Sequence, residues 1–328
     1  MLVSIALCVG LYHQLFVRND IVELWNSLKA QILVAPVWML IVIVLLIPLN
    51  LLLEATKFRL LLPEEIRPSV IQACRRVCAG ISIGLFTPNR VGEYLGRLTG
   101  TTVKDRAATI AATLLGGIAQ LIPLLGGGVL CMICYSKFGV LDFASTLTNV
   151  VAVFICIGLL LLFAFLPAVL LLIERLWSSF RQNRSFGPFT TRLFGQVAYT
   201  LRGIRRLATT RPGDVRRALI IACCRYIIYL IQLSLAFAFF GLDAGLEIAL
   251  FGSGILLFAQ TFVPLPAFVQ ALARVELALL VWAAYQPNEL GLASASFLIF
   301  VLNLGIPALL GLVEILRSDL DKTLGINA

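Results

Sequence analysis

Charged side chains are scarce in this sequence, and histidine is almost absent. Asp, Glu, Lys and Arg make up 13% of the 328 residues, whereas soluble domains average about 25%. His13 is the single histidine, which excludes most His-based metal sites and any catalysis that needs two imidazoles. Hydrophobic residues make up 60% of the chain and give a mean hydropathy of +0.99. These proportions predict an integral membrane protein that crosses the bilayer several times.

Acidic residues are the scarcer charged class. The chain has 17 of them against 26 Lys and Arg, a formal net charge of +9. In a membrane protein such an excess marks cytoplasmic loops and contact with anionic lipid headgroups, so we expect no nucleic-acid partner. The excess is concentrated in residues 174–217, where ten arginines face only Glu174 and Asp214. This segment predicts a cytoplasmic loop, and a further role in binding anionic lipid or a partner protein stays open.

Signatures of cofactor binding and catalysis are also missing. Most of the eight cysteines fall inside apolar segments, where Cys behaves as a small hydrophobe. Cys131 and Cys134 have the C-x-x-C spacing, but they end an apolar helix, and a redox or zinc site needs a soluble loop or turn. No nucleophile–base pair is recognisable. We therefore expect no metal, no cofactor and no enzymatic activity, with a lipid-phosphate transferase as the least favoured interpretation.

Apolar length predicts about eight membrane spans. No Lys or Arg precedes residues 1–17, so these residues are interpreted as a first span and not as a cleaved signal peptide. At about 20 residues per crossing, the spans cover residues 1–17, 33–53, 108–134, 148–173, 218–240, 246–263, 268–285 and 292–315. The expected fold class is an all-α polytopic membrane helix bundle, a single domain over 1–328 with two possible pseudo-repeat halves, 1–173 and 218–316. The amphipathic connection 18–30 is expected to lie along the interface.

One segment, residues 77–98, breaks the helical pattern. Pro88 has no N–H, and Gly92 lies just after it. The charged residues of the segment are Arg90, Glu93 and Arg97. Broken backbone at membrane depth is tolerated only where protein or a water-filled cavity covers it, and charge at that depth is functional by default. Because basic residues flank the segment on both sides, we predict a re-entrant hairpin that enters and leaves from the cytoplasm.

The second half of the chain holds a similar proline break. Pro264 and Pro266 follow an apolar segment, and Arg274 and Glu276 come after them. Corresponding interrupted segments in two halves are the best sequence indication of a transporter's binding site. Residues 246–285 form either two full spans or a second hairpin. We favour two spans, because they leave the C-terminal tail in the cytoplasm.

Polar residues within or beside the spans add to the candidate site. Glu54 and Lys57 share one helix face, either as an ion pair at the interface or as a headgroup site. Arg225 lies about two turns inside the fifth span, where it either snorkels to the interface or faces the bundle interior. The remaining candidates are Arg59, Gln232 and Asn303.

Five groups of residues together form a pattern that is shared with a known family. They are Asn50 with Glu54 and Arg59; the run Thr87-Pro88-Asn89-Arg90-Val91-Gly92-Glu93 with Arg97; Arg225-Tyr226 with Gln232; Val263-Pro264 with Glu276; and Asn303 with Pro307, Ala308 and Gly311. With these residues, nearly the whole chain resembles the lysylphosphatidylglycerol synthase transmembrane region, also called the flippase-like domain family. The resemblance implies an eight-span domain with re-entrant elements in the bacterial cytoplasmic membrane. The chain differs in lacking a glycine before Arg274, and no synthase domain follows residue 328, so we expect no aminoacyl transfer.

The resemblance also implies a class of function. In bifunctional members the domain is linked to moving aminoacylated phospholipid between leaflets, and other members accompany glycosyltransferases that use lipid carriers. We therefore expect a lipid flippase for a phospholipid or a polyprenyl-linked glycolipid, in which Arg90 and Arg97 pair with a phosphate and Glu93 is their counter-charge. The expected substrate-binding residues are Glu54, Arg59, Arg90, Glu93, Arg97, Arg225, Gln232, Arg274, Glu276 and Asn303, with Pro88, Gly92, Pro264 and Pro266 as hinges. The alternative is a non-catalytic scaffold that holds a lipid-linked glycosyltransferase at the membrane through residues 174–217.

Overall fold

The fold is helical throughout the part of the chain that the structure describes. The structure, a computed structural model, describes residues 21–137, 158, 203, 211–262 and 265–317. The helices are α1 (Ile21–Val34), α2 (Val37–Leu60), α3 (Val70–Gly84), α4 (Glu93–Gly96), α5 (Arg106–Ser136), α6 (Pro212–Phe239), α7 (Leu246–Thr261), α8 (Ala267–Val281), α9 (Glu289–Phe300) and α10 (Ile306–Arg317). A π-helical turn, Val301–Gly305, joins α9 to α10. These described residues include no β-strand, which confirms the all-α prediction.

Four helices are long and apolar enough to cross a membrane. They are α2, α5, α6 and the continuous rod of α9 and α10 (Glu289–Arg317). They match four of the eight predicted spans and support a membrane protein. The predicted span 1–17 lies outside the described residues, as do all of 148–173 except residue 158 and most of the basic segment 174–217.

The two other predicted spans are present as shorter helices. α7 has 16 residues and α8 has 15, which is roughly 22–24 Å at 1.5 Å per residue. The hydrocarbon core of a bilayer is about 30 Å thick. Full crossings over 246–285, and with them the count of eight spans, stay predictions.

Several helix ends differ from the predicted bounds. α2 continues to Leu60 and not only to residue 53, so Glu54 and Lys57 lie within the helix. α3 begins at Val70, where Ser69 forms a capping box, seven residues before the predicted start of the hairpin segment at 77. α6 begins at Pro212 and not at 218, because proline suits the first position of a helix. Apolar length did not predict these extra helical turns, because they contain charged and polar residues. Tertiary contacts hold those residues in the folded protein.

α2 is polar on its inner face and apolar on its outer face. Asn50, Glu54 and Lys57 are buried, whereas Val37 is 67% exposed and Leu45 is 64% exposed. A soluble helix has the opposite arrangement. The pattern is typical of a membrane helix that directs its polar residues to the bundle interior.

Two apolar clusters pack the helices together. Phe58 and Leu115 belong to one cluster, and Phe237 and Trp282 belong to the other. α6 contributes to both clusters and packs along α2. The α2–α6 pair therefore holds the polar residues of both helices in fixed positions.

Candidate functional site

The segment that carries Arg90, Glu93 and Arg97 turns the chain back on itself. After α3 ends at Gly84, a single 3₁₀ turn, Pro88–Arg90, leads into the short helix α4. The N–H of Gly92 donates to Thr87 Oγ1 at 2.7 Å, which closes the turn. Arg90 has a φ of 58°, in the left-handed region that non-glycine residues rarely adopt. The chain therefore reverses between α3, which begins at Val70 and not at residue 77, and α4, and a re-entrant hairpin that opens to the cytoplasm stays a prediction.

Two glycines let the returning segment of the hairpin contact α3 directly. A Cβ at Gly92 would lie 2.6 Å from the carbonyl oxygen of Ile83, and a Cβ at Gly96 would overlap the backbone of Ala79. Only glycine allows backbones to approach so closely. Gly92 and Gly96 therefore allow close packing against α3, and the expected role of Gly92 as a hinge stays a prediction.

The hairpin, α2, α5, α6 and the rod of α9 and α10 enclose a cavity of about 230 Å³. Its charged lining residues are Glu54, Lys57, Arg90, Glu93, Arg97 and Arg225. Neutral polar groups come from Asn50, Tyr94, Thr113, Gln120, Tyr229 and Asn303. The remaining lining residues are mostly aliphatic, so the cavity is a polar chamber within apolar helices.

Glu54 lies at the centre of the charged lining. Its carboxylate is 2.7 Å from Lys57 Nζ and 2.7 Å from Arg97 Nη2, and it also pairs closely with Arg225 Nη1. Glu54 and Arg97 are buried, with 7% and 4% of their surface exposed. One buried carboxylate thus joins three cations from α2, the hairpin and α6.

Glu93 is the second carboxylate of the chamber. Arg97 Nη2 donates to Glu93 at 3.0 Å, and Arg90 Nε is 2.6 Å from the other carboxylate oxygen. Arg97 therefore bridges Glu93 and Glu54, and its guanidinium also lies 5.3 Å from the ring centre of Phe58. The ion pairs form a continuous chain from Arg90 at the tip of the hairpin to Arg225 on α6.

A chain of amides continues from Arg225 into the bundle. Arg225 Nε donates to Asn50 Oδ1 at 2.9 Å, and Asn50 Nδ2 donates to Asn303 Oδ1 at 3.2 Å. Asn303 Nδ2 donates to Gln232 Oε1 at 3.1 Å, and Gln232 Nε2 donates to the carbonyl oxygen of Ile43 at 3.0 Å. Because a carbonyl oxygen can only accept, this last bond fixes the orientation of every amide in the chain.

The helix that carries Asn303 is locally irregular. Asn303 lies in the π-helical turn Val301–Gly305, and Pro307 lacks the N–H that would bond to the Asn303 carbonyl in an α-helix. π-Helical turns occur frequently at functional sites. Pro307 itself lines the cavity. The irregular turn directs the Asn303 side chain to Asn50 on α2.

Six of the ten predicted binding residues line the cavity: Glu54, Arg90, Glu93, Arg97, Arg225 and Asn303. Gln232 lies one hydrogen bond behind it. Arg225 faces the bundle interior, and Glu54 and Lys57 form the anticipated ion pair as part of a larger network. Pro88 begins the hairpin turn.

The other predicted site residues lie elsewhere. Arg59 Nε donates to the carbonyl oxygen of Pro68 at 2.8 Å and does not line the cavity. α8 touches the hairpin through its turn, yet Arg274 and Glu276 are not in the lining. Pro266 precedes the first residue of α8, and Pro264 is outside the described residues. The second half of the chain supplies Arg225 and Asn303 to the chamber in place of the α8 charges.

Sequence reasoning missed several residues of the chamber. Asn50 and Lys57 lie four residues before and three after Glu54, which places all three on one helix face. Gln120 Oε1 accepts from Lys57 at 3.3 Å and from Arg225 at 3.0 Å. A lone Gln in an apolar span is itself a signal of a polar interior. Tyr94 and Tyr229, by contrast, carry no such signal.

No group of three or more His, Cys, Asp or Glu residues that could hold a metal ion occurs in the described part of the chain. Comparison with known proteins gives no match, whether with family models, curated proteins or solved structures. The chemistry of the chamber is thus that of buried guanidinium, ammonium, carboxylate and amide groups.

Proposed function

We propose that this protein is an integral membrane flippase of the flippase-like domain family, and that its chamber holds a lipid headgroup while the tails stay in the bilayer. The lipid is a phospholipid or a polyprenyl-linked glycolipid with an anionic headgroup. The membrane is the bacterial cytoplasmic membrane. The protein acts as a transporter and not as an enzyme.

The observation that carries the proposal is the charged chamber between apolar helices. Burying an ion is costly unless it is paired, and charged residues within membrane helices commonly mark a substrate path. Six charged side chains share this chamber. If these charges only stabilised the fold, each cation would need one carboxylate as a partner. The described residues that line the chamber instead include more cations than carboxylates.

Guanidinium groups suit a lipid phosphate. Arginine stays charged at any physiological pH and presents a planar set of donors that matches two phosphate oxygens. Arg225 uses Nε for Asn50 and Nη1 for Glu54 and Gln120, which leaves Nη2 for a ligand. Glu54 and Glu93 keep the cations paired in the empty chamber, so a headgroup exchanges one anion for another.

The test is a transport assay in proteoliposomes. Phosphatidylglycerol and phosphatidic acid, each with a fluorescent acyl chain, are followed by quenching from the outside. The wild type should move at least one of them, and Arg225→Gln should slow that movement roughly tenfold or more, the effect of about 1.4 kcal/mol. Arg75→Gln is the matched control, because the Arg75 side chain is 56% exposed and its ion pair with Glu314 is long, at 3.9 Å.

The outcomes separate the two candidate functions. Movement in the wild type and in Arg75→Gln, with loss in Arg225→Gln, supports transport. If neither lipid moves above the rate in empty vesicles, the flippase proposal fails. Capture of a glycosyltransferase that is lost when the arginines of residues 174–217 are neutralised would then favour the scaffold.

A further inference from the structure

The charges of the chamber do not balance. Among the described residues, Lys57, Arg90, Arg97 and Arg225 line it together with two carboxylates, Glu54 and Glu93, a formal excess of two positive charges. Glu54 contacts three of the cations, and Glu93 contacts two. Both carboxylates already pair with cations, and the excess charge remains available to a ligand.

Two of the lining arginines, Arg225 and Arg90, have guanidinium donors that the carboxylates do not use. Arg225 Nη2 has no partner among the described residues. Arg90 contacts Glu93 through Nε, and its side chain is 34% exposed. The two arginines come from different elements, α6 and the hairpin tip, and both line the cavity. An anion that contacts both would therefore meet guanidinium groups from two parts of the chain.

We propose that the chamber selects a headgroup with two negative charges, a phosphomonoester or a diphosphate diester, and rejects zwitterionic and cationic headgroups, aminoacylated ones included. This inference rests on the proposed function. A dianion neutralises the excess of two charges, whereas a phosphodiester leaves one charge unmatched. A cationic headgroup adds to the excess in a site that water screens poorly.

The size of the cavity agrees with a small charged group. Its volume of about 230 Å³ is below the roughly 300–1,000 Å³ of pockets that enclose a drug-sized ligand. The chamber therefore encloses the phosphate and the atoms next to it. Larger attached groups, such as a sugar, stay outside.

The experiment measures selectivity by charge. Vesicles at pH 8 contain, one at a time, labelled phosphatidic acid, phosphatidylglycerol, phosphatidylcholine or lysylphosphatidylglycerol. The wild type should move phosphatidic acid faster than phosphatidylglycerol by roughly tenfold, a factor that equals about 1.4 kcal/mol, and should not move the last two. Arg90→Gln lowers the excess from two charges to one and should reduce that ratio to near unity. Arg75→Gln should keep it.

A soluble probe separates this inference from the proposed function. Inorganic phosphate, which is mostly a dianion at pH 8, should raise the melting temperature of the wild type and of Arg75→Gln, and it should do so less for Arg90→Gln. If inorganic phosphate stabilises the protein but no lipid moves, the site takes a free dianion and the flippase proposal fails. If phosphatidylcholine or the cationic lipid moves as fast as phosphatidic acid, the flippase stands and the charge selectivity is overturned. If inorganic phosphate has no effect and no lipid moves, both fail.

Discussion

Glu54 is the residue on which the polar interior converges. Its carboxylate contacts Lys57, Arg97 and Arg225, which come from three different parts of the chain. A buried carboxylate with three cationic neighbours stabilises the assembly mainly by preventing their mutual repulsion.

Replacing Glu54 by Gln should therefore lower the free energy of unfolding by about 3–5 kcal/mol, the cost of leaving buried charges without their partner. Denaturant unfolding in mixed micelles measures this loss. Glu65→Gln is the control, because Glu65 is exposed in the short turn Glu64–Ile66. Equal stability of both variants would show that the cations do not depend on Glu54.

At the scale of single residues, the sequence predicted which residues belong to the site better than it predicted which residues they contact. The spacing of Glu54 and Lys57 indicated an ion pair as one of two interpretations, because helical periodicity is local. Arg225 was left between the interface and the interior. Its contacts with Glu54 and Asn50 join residues 171 and 175 positions apart, and no local pattern encodes such a contact. Gln120 carried a local signal, a lone Gln in an apolar span, but its contacts with Lys57 and Arg225 had none.

At the scale of elements, the amide chain connects α6, α2 and the π-helical turn. Gln232 lies outside the cavity, but its bond to the Ile43 carbonyl sets the orientation of Asn303 and Asn50. Asn50 in turn accepts from Arg225 Nε. Gln232 is thus a positioning residue for the guanidinium of Arg225.

Gln232→Leu should slow lipid movement several-fold, since Asn303 and Asn50 lose their fixed orientation and release Arg225. The decisive measurement is a double-mutant cycle with Arg225→Gln, which isolates coupling between the two residues. If Gln232 acts through Arg225, adding Gln232→Leu to Arg225→Gln changes the transport rate no further. Additive losses would instead indicate a general packing role.

The elements themselves were only partly predictable. Proline and glycine indicate where the chain reverses near Pro88, because their backbone limits are local. The proline break near Pro266 led us to expect Arg274 and Glu276 in the binding site, but neither lines the cavity, and Asn303 from the irregular turn does. Weak sequence symmetry gives the position of a break along the chain and does not give the direction of the helix that follows.

At the scale of the whole molecule, the protein has an apolar exterior around a charged interior. Composition alone predicted the membrane, and four helices are long and apolar enough to cross it. The chamber could not be predicted as a unit, since its walls come from α2, the hairpin, α5, α6 and the rod of α9 and α10. Asn50 and Asn303, which meet across it, are 253 positions apart.

The position of a bound lipid phosphate tests the central claim most directly. The measurement is the structure of the protein in nanodiscs that contain phosphatidic acid. The account predicts a phosphate inside the chamber, with an oxygen within about 3 Å of Arg225 Nη2. Phosphates that lie only at the membrane surface, above a chamber in which Glu54 and Glu93 keep all their cations, would contradict it.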